Sequence, residues 1–257
     1  MRFFLGVGTS CPNTGLFGEM GWVPLQAEIK FSIIKFWHRI CSLPTLRLPN
    51  ITHRWSSQKG LGNWADKTIK LFPDINLSNF SKMDRNSFQK EAWNRILQVE
   101  YTKWLDNLNS IAPNSESGGR LVLYRSYKLE PAPEEYVTRP TSWRRRRTIA
   151  QLRCGCLPLE MEIGRYRHPK TPLAQRICQL CNEGIEDESH LLIFCPQLTQ
   201  ERIALFKTME GVLGSTFYSL PPAEKTLKIL MNCGRDLELG KALHVMAQSR
   251  KNIIFSP

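Results

Sequence analysis

Cys178, Cys181, His190 and Cys195 stand in the segment CQLCNEGIEDESHLLIFC as C-x2-C-x8-H-x4-C. Three soft thiolates and one imidazole are the ligand set and number of a closed tetrahedral Zn²⁺ site. With every position filled by protein, such an ion is structural and leaves no place for water or substrate. The Cys178/Cys181 pair wraps one side of the ion as a tight turn, and Gly184 frees the chain just after it. A five-residue step on a regular α-helix rotates by about 140°, so His190 and Cys195 cannot converge on a straight helix. The spacing therefore predicts a break near Cys195, where Pro196 pushes the preceding residue out of the helical region. The competing reading is a set of buried thiols beside a surface histidine, which one isolated CxxC would leave open. A zinc deaminase is excluded by the residues: that chemistry uses H-x-E and P-C-x-x-C, whereas Pro169 and Lys170 follow His168 and Ile177 precedes Cys178.

The second chemistry-bearing group is cationic. Net charge is +12, and residues 120–180 carry 13 Lys and Arg against five acids, whereas residues 181–257 carry eight against nine. Arg139, Arg144, Arg145, Arg146, Arg147 and Arg153 occur with no acid between them. Guanidinium matches phosphate bidentately and lies well on π faces. With Trp143 and Tyr136 close by, the run reads as a phosphate clamp with stacking partners, extended by Arg165 and Arg167. The alternative is a solvated helix face or a fortuitous basic patch. Glu183, Glu186, Asp187 and Glu188 sit where the helix carrying His190 should begin, at the positive end of its dipole.

The elements that must position these groups read as mainly α. Helical apolar spacing marks residues 28–41, 63–72 and 86–111, stopped by Pro44, Pro73 and Pro113. Trp37, Trp93 and Trp104 lie on apolar stripes and are assigned to packing. The composition then changes to Ser, Gly and Pro, so residues 113–140 read as a linker with one short piece at 121–127. From Thr141 a helix runs through the arginines to about Leu152 and leads into the cysteine segment, followed by helices at 197–213, 222–231 and 237–254. The division is thus a helical region over 1–112, the linker, and a helical domain with a small CCHC knuckle over 141–257.

At 257 residues and 42% hydrophobic, the chain can bury a real core. Eight cysteines are too sparse and uneven for a disulfide scaffold, which favours a reducing intracellular setting, nucleus or cytoplasm. The apolar run from Phe3 to Val7 is shorter than a signal-peptide core. No stretch approaches the roughly 20 apolar residues of a spanning helix, so no membrane partner is expected. The N-x-S/T triplets at Asn50, Asn76 and Asn79 carry little weight in such a chain.

RFFLGVG (residues 2–8), GEMGW (18–22), FWHRI (36–40), RLP (47–49), LRCGCLPLEMEIGRY (152–166) and the CCHC segment, in this order, resemble the C-terminal region of reverse transcriptases from LINE-type (non-LTR) retrotransposons. The resemblance spans nearly the whole chain. It implies metal ligation by Cys178, Cys181, His190 and Cys195, and a knuckle that helps bind template RNA or target DNA during target-primed reverse transcription. It does not imply polymerase activity. That chemistry needs paired carboxylates on divalent metals, the family carries an adjacent Asp pair, and this chain contains no Asp-Asp. The resemblance therefore points to a truncated copy without the catalytic palm, whose residues 1–112 would dock on an upstream domain and leave Phe3, Phe4, Leu5 and Trp22 exposed.

The remaining candidates get no function: Cys154 and Cys156 read as packed thiols, and Cys11, Cys41, Cys233, His38, His53 and His244 as isolated side chains. Two readings remain. One is a zinc-stabilised nucleic-acid-binding module for RNA or DNA with little base preference. The other is a zinc-dependent structural or protein-interaction domain; an enzyme is not expected.

Overall fold

A computed structural model describes residues 1–59, 64–71, 83–111 and 119–255. Among them every regular element is helical, and the only β pairing is an isolated bridge between Ile177 and Ile185. The mainly α class read from the sequence is what the structure shows.

In chain order the α-helices are α1 (Arg2–Leu5), α2 (Asn13–Met20), α3 (Leu25–Cys41), α4 (Leu48–Lys59), α5 (Trp64–Ile69), α6 (Arg85–Asn109), α7 (Val122–Tyr127), α8 (Glu135–Thr138), α9 (Trp143–Arg153), α10 (Glu160–Ile163), α11 (Thr199–Leu213), α12 (Thr216–Ser219), α13 (Pro222–Asn232) and α14 (Leu237–Phe255). The periodic segments became helices within a few residues of their expected bounds. The expected stops at Pro73 and Pro113 lie outside the described residues. The sequence reading missed α1, α2 and α4, and the one-turn helices α8, α10 and α12. α1 is a single turn, and α2 has no polar face, since Gly15, Leu16, Gly18, Glu19 and Met20 are all buried. α4 is polar along most of its length, and its short apolar stripe of Leu48, Ile51 and Trp55 is exposed.

The chain divides into two compact units, Met1–Trp22 with Asn107–Pro257, and Val23–Asp106. The second unit packs α3 against α6 through Ala27, Ile34, Phe88, Ala92 and Ile96, with Trp37 and Trp93 against that cluster. His38 stacks on Phe88 at 3.9 Å, and Asp84 caps α6 by accepting the backbone N–H groups of Asn86 and Ser87 at 3.0 and 3.1 Å.

This division corrects the expected boundaries at 112 and 140. Residues 1–22 belong with the later half of the chain because Glu19 on α2 meets Arg153 on α9 in a buried bidentate pair, 2.8 and 3.0 Å. Arg153 also donates to Glu134 at 2.8 Å and to the Leu230 carbonyl at 2.6 Å. Lys128 reaches Glu134 at 2.5 Å, and the Tyr136 hydroxyl donates to Glu19 at 2.7 Å. Two carboxylates and two cations thus close a balanced charge cluster, with its lone pairs satisfied as burial demands. Burial alone would raise the Glu19 carboxyl, but the Arg153 guanidinium and Lys128 outweigh it and hold the carboxyl below its usual range.

The same cluster overturns two further expectations. Residues 119–140 are built structure rather than linker, with Leu121, Tyr124 and Tyr136 buried; residues 112–118 lie outside the described set. Of the apolar side chains expected on the surface, Phe3, Phe4 and Trp22 are exposed, whereas Leu5 is fully buried. At the end of α9, Gly155 adopts φ 61°, and a Cβ there would collide with the Arg120 carbonyl.

Candidate metal centre and the arginine helix

The knuckle starts as a minimal hairpin. The Cys178 N–H donates to the Gly184 carbonyl at 3.1 Å, and the Glu186 N–H to the Arg176 carbonyl at 2.9 Å. Between them the chain reverses through Asn182 (φ 57°) and Gly184 (φ 68°), both left-handed. This reversal turns the Cys178 and Cys181 thiols to one side. The Glu183 N–H donates to the Cys181 Sγ at 3.4 Å.

His190 and Cys195 reach that side by a change of winding. His190–Phe194 is a π-helical segment closed by the Cys195 N–H on the His190 carbonyl at 2.8 Å. The wider i→i+5 turn brings residues five apart toward one face, as such bulges do at functional sites. Cys195 then leaves the helix at φ −60°, ψ 115°, just before Pro196. The break expected from the proline is present, but the π turn was not foreseen. Asp187 caps the turn, its Oδ1 accepting the His190 N–H at 2.7 Å.

All four ligand atoms lie within 4.8 Å of one another. Cys178 Sγ is 3.9 Å from Cys195 Sγ, and Cys181 Sγ is 3.3 Å from His190 Nε2. A tetrahedron with metal–sulfur bonds of about 2.3 Å has sulfur–sulfur edges of about 3.8 Å. The four atoms are close enough to share one metal ion. Burial pushes the Cys178 thiol up to about 12, opposed by backbone N–H donors and assisted by nearby Glu186 and Cys195. Burial raises Cys195 as well. An ion binding here therefore displaces thiol protons. Cys154 and Cys156 are not part of this group; they are buried and share side-chain hydrogen bonds with Cys11.

Several partners of the site were missed in the sequence. Arg250 holds both Glu186 oxygens at 2.7 Å, and the same carboxylate accepts the Glu160 N–H at 2.7 Å. Glu186 therefore ties the knuckle to α14 and α10, correcting its assignment as a helix-dipole acid. Arg202 donates to the carbonyls of Leu192 and Cys195, and the Cys195 carbonyl also accepts the Leu198 N–H at 3.3 Å. No local pattern announces pairs 64 residues apart; only a folded chain shows them.

Compared with known proteins, the chain matches no family model, no curated protein and no solved structure at a significant level. Its geometry has to speak for its function.

The arginines divide by availability. Arg153 is 2% exposed and committed to Glu19 and Glu134, so it is a core residue rather than a phosphate ligand. Tyr136 is likewise buried and cannot stack on a base. Arg167 pairs with Glu160 at 2.7 Å, a carboxylate whose side chain is 3% exposed and which also accepts from the Gln179 amide. Arg165 pairs with Glu162 at 3.3 Å; burial, partly offset by that carboxylate, pulls its guanidinium below the usual range. Arg146 lies over the Phe4 ring at 4.0 Å and donates to the Thr141 carbonyl. Arg139 makes only a surface pair with Glu135, 2.7 Å, of a kind worth about 0–1 kcal/mol. Arg144 and Arg147 are exposed and Arg145 is half-buried, all within the first turns of α9, which Ser142 caps. Trp143, 48% exposed with the Arg147 guanidinium over its ring at 5.4 Å, keeps its place as a candidate stacking ring. Among the described residues, no helix is long and apolar enough to cross a membrane.

Proposed function

We propose that this chain is a zinc-stabilised nucleic-acid-binding region derived from a non-LTR retrotransposon reverse transcriptase, without polymerase activity of its own. The observation that supports it best is a physical link. The four-ligand knuckle is fastened through Glu186 and Arg250 to α14, the helix packed on the one that displays Arg144, Arg145 and Arg147. Zinc is the ion favoured by three thiolates and one imidazole in a closed tetrahedral set. Its role is to fix the fold that presents the arginines.

Cations at the N-terminal end of a helix oppose its dipole, and Arg144 and Arg147 repel each other three residues apart. A run of phosphates relieves both terms, and affinity then falls steeply with salt. The absence of an Asp-Asp pair supports the non-catalytic reading. Exposed Ile29, Phe36, Ile51 and Trp55 in residues 23–106 support the docking of that unit on another domain.

One observation favours a second reading, a zinc-dependent structural or protein-interaction domain: Arg153, Arg165 and Arg167 are all bound to internal carboxylates. A titration of single-stranded RNA at two salt concentrations separates the two. The nucleic-acid reading expects tight, salt-sensitive binding that is lost when Arg144, Arg145, Arg146 and Arg147 are all changed to Ala. Equal, weak binding by both proteins leaves the second reading standing.

A further inference from the structure

Helices α9 and α14 enclose a cleft of about 510 Å³ on the side of the knuckle carrying Gln179. Its cationic lining is Arg144 and Arg147 from α9 and Lys251 from α14, with Trp143 and Phe255 as the aromatic members. No aspartate or glutamate lines it. A fourth cation at its wall, Arg250, is already neutralised by Glu186. The volume falls within the range of small-ligand sites, and its charge is of one sign.

The walls are fixed independently of any occupant. Thr148 donates its hydroxyl to the Arg144 carbonyl at 3.1 Å and lies 2.9 Å from His244 Nδ1. Whichever of the two groups donates, the Thr148–His244 contact joins the two helices. Burial lowers the His244 pKa, and Arg145 and Arg144 lower it further, so the imidazole is a neutral strut. The Trp143 indole N–H meets the Phe3 carbonyl at 3.5 Å, which orients the ring while leaving it 48% exposed. Phe255 is 73% exposed.

The geometry points to a subsite for one unpaired nucleotide of a single-stranded nucleic acid. Its flanking phosphates lie on Arg144, Arg147 and Lys251, and its base stacks on Trp143, with Phe255 closing the far side. This deepens the nucleic-acid reading above and rests on it. A duplex does not fit the lining, because bases stacked within a helix offer no free face to the indole. Stacking on aromatic rings is tolerant of sequence.

The test uses the full zinc-loaded chain with fluorescently labelled U12, dT12 and an abasic strand of equal charge; the tighter of U12 and dT12 is the reference strand. Trp143→Ala is expected to weaken the reference strand about tenfold and leave the abasic strand within twofold. Arg144→Ala combined with Lys251→Ala is expected to weaken both. It should also flatten the plot of log affinity against log salt by about 1.4, two contacts at about 0.7 each for single strands. Lys207→Ala, exposed on α11 away from the cleft, controls for general charge loss. Circular dichroism confirms that each variant is folded. If wild type binds with a steep salt dependence but neither cleft variant differs from Lys207→Ala, the subsite is refuted and the nucleic-acid reading survives. If wild type binds no strand, the broader reading falls first.

Discussion

The guanidinium of Arg250 lies against both carboxylate oxygens of Glu186 at 2.7 Å, and one of those oxygens stands 3.6 Å from the Cys178 sulfur. A pair 64 residues apart in the chain thus stands directly behind Cys178 of the candidate metal group. It joins the knuckle, the C-terminal helix and the turn at Glu160 into one rigid unit. Outer partners of this kind typically tune metal affinity by about 10–100-fold.

Arg250→Ala strands the Glu186 carboxylate in a dry site beside a thiolate. Breaking a buried pair from one side costs about 3–5 kcal/mol, and urea unfolding should show a loss of that size. Adding Glu186→Gln removes the stranded charge and should restore a large part of the loss. A single Arg250→Ala variant as stable as wild type would contradict the role given to the pair.

The Glu19–Arg153 cluster makes stability depend on acid. The folded pKa of Glu19 is depressed, so its contribution is complete above the unfolded value of about 4.3 and is lost as pH falls through the lower folded value. Wild type should lose stability across that acid window. Glu19→Gln should be less stable at neutral pH but flatter below it. Parallel pH profiles for the two proteins would show that Glu19 is not coupled to Arg153 as described.

Gly155→Ala combines a strained left-handed residue with a Cβ driven into the Arg120 carbonyl. The expected loss is more than about 1 kcal/mol, read as a lower Tm. An unchanged Tm would mean that the turn after α9 relaxes freely.

Charge availability, more than charge count, should govern binding to RNA. Arg144→Ala and Arg147→Ala should each weaken it and flatten its salt dependence, since both guanidinium groups are exposed. Arg167→Ala should leave the salt slope near wild type because its charge is already paired with Glu160. Equal flattening by all three would show that the internal pair opens to phosphate.

The metal ligands were legible because short-range spacing nearly determines a knuckle: Cys178, Cys181, His190 and Cys195 needed only a tight turn and a helix end. The long helices were legible through their apolar stripes. Two features were not. The π winding at His190–Phe194 has no composition signature, and one of its carbonyls, that of Leu192, accepts from Arg202 on another helix. Of the buried cluster of Glu19, Lys128, Glu134 and Arg153, the sequence marks only Arg153, and as a phosphate contact, since it shows sign and number but not burial. Arg153 was therefore grouped with neighbours that face the other way. Residues 119–140, rich in proline, read as linker although Tyr124 and Tyr136 anchor them in the core.

The central claim is that one ion closes the knuckle, and metal analysis of the purified chain tests it most directly. Elemental analysis by mass spectrometry is expected to find one zinc per chain in wild type, and less than a tenth of that in Cys181→Ser together with a lowered Tm. A wild-type protein that is folded at full stability with no bound metal would contradict it.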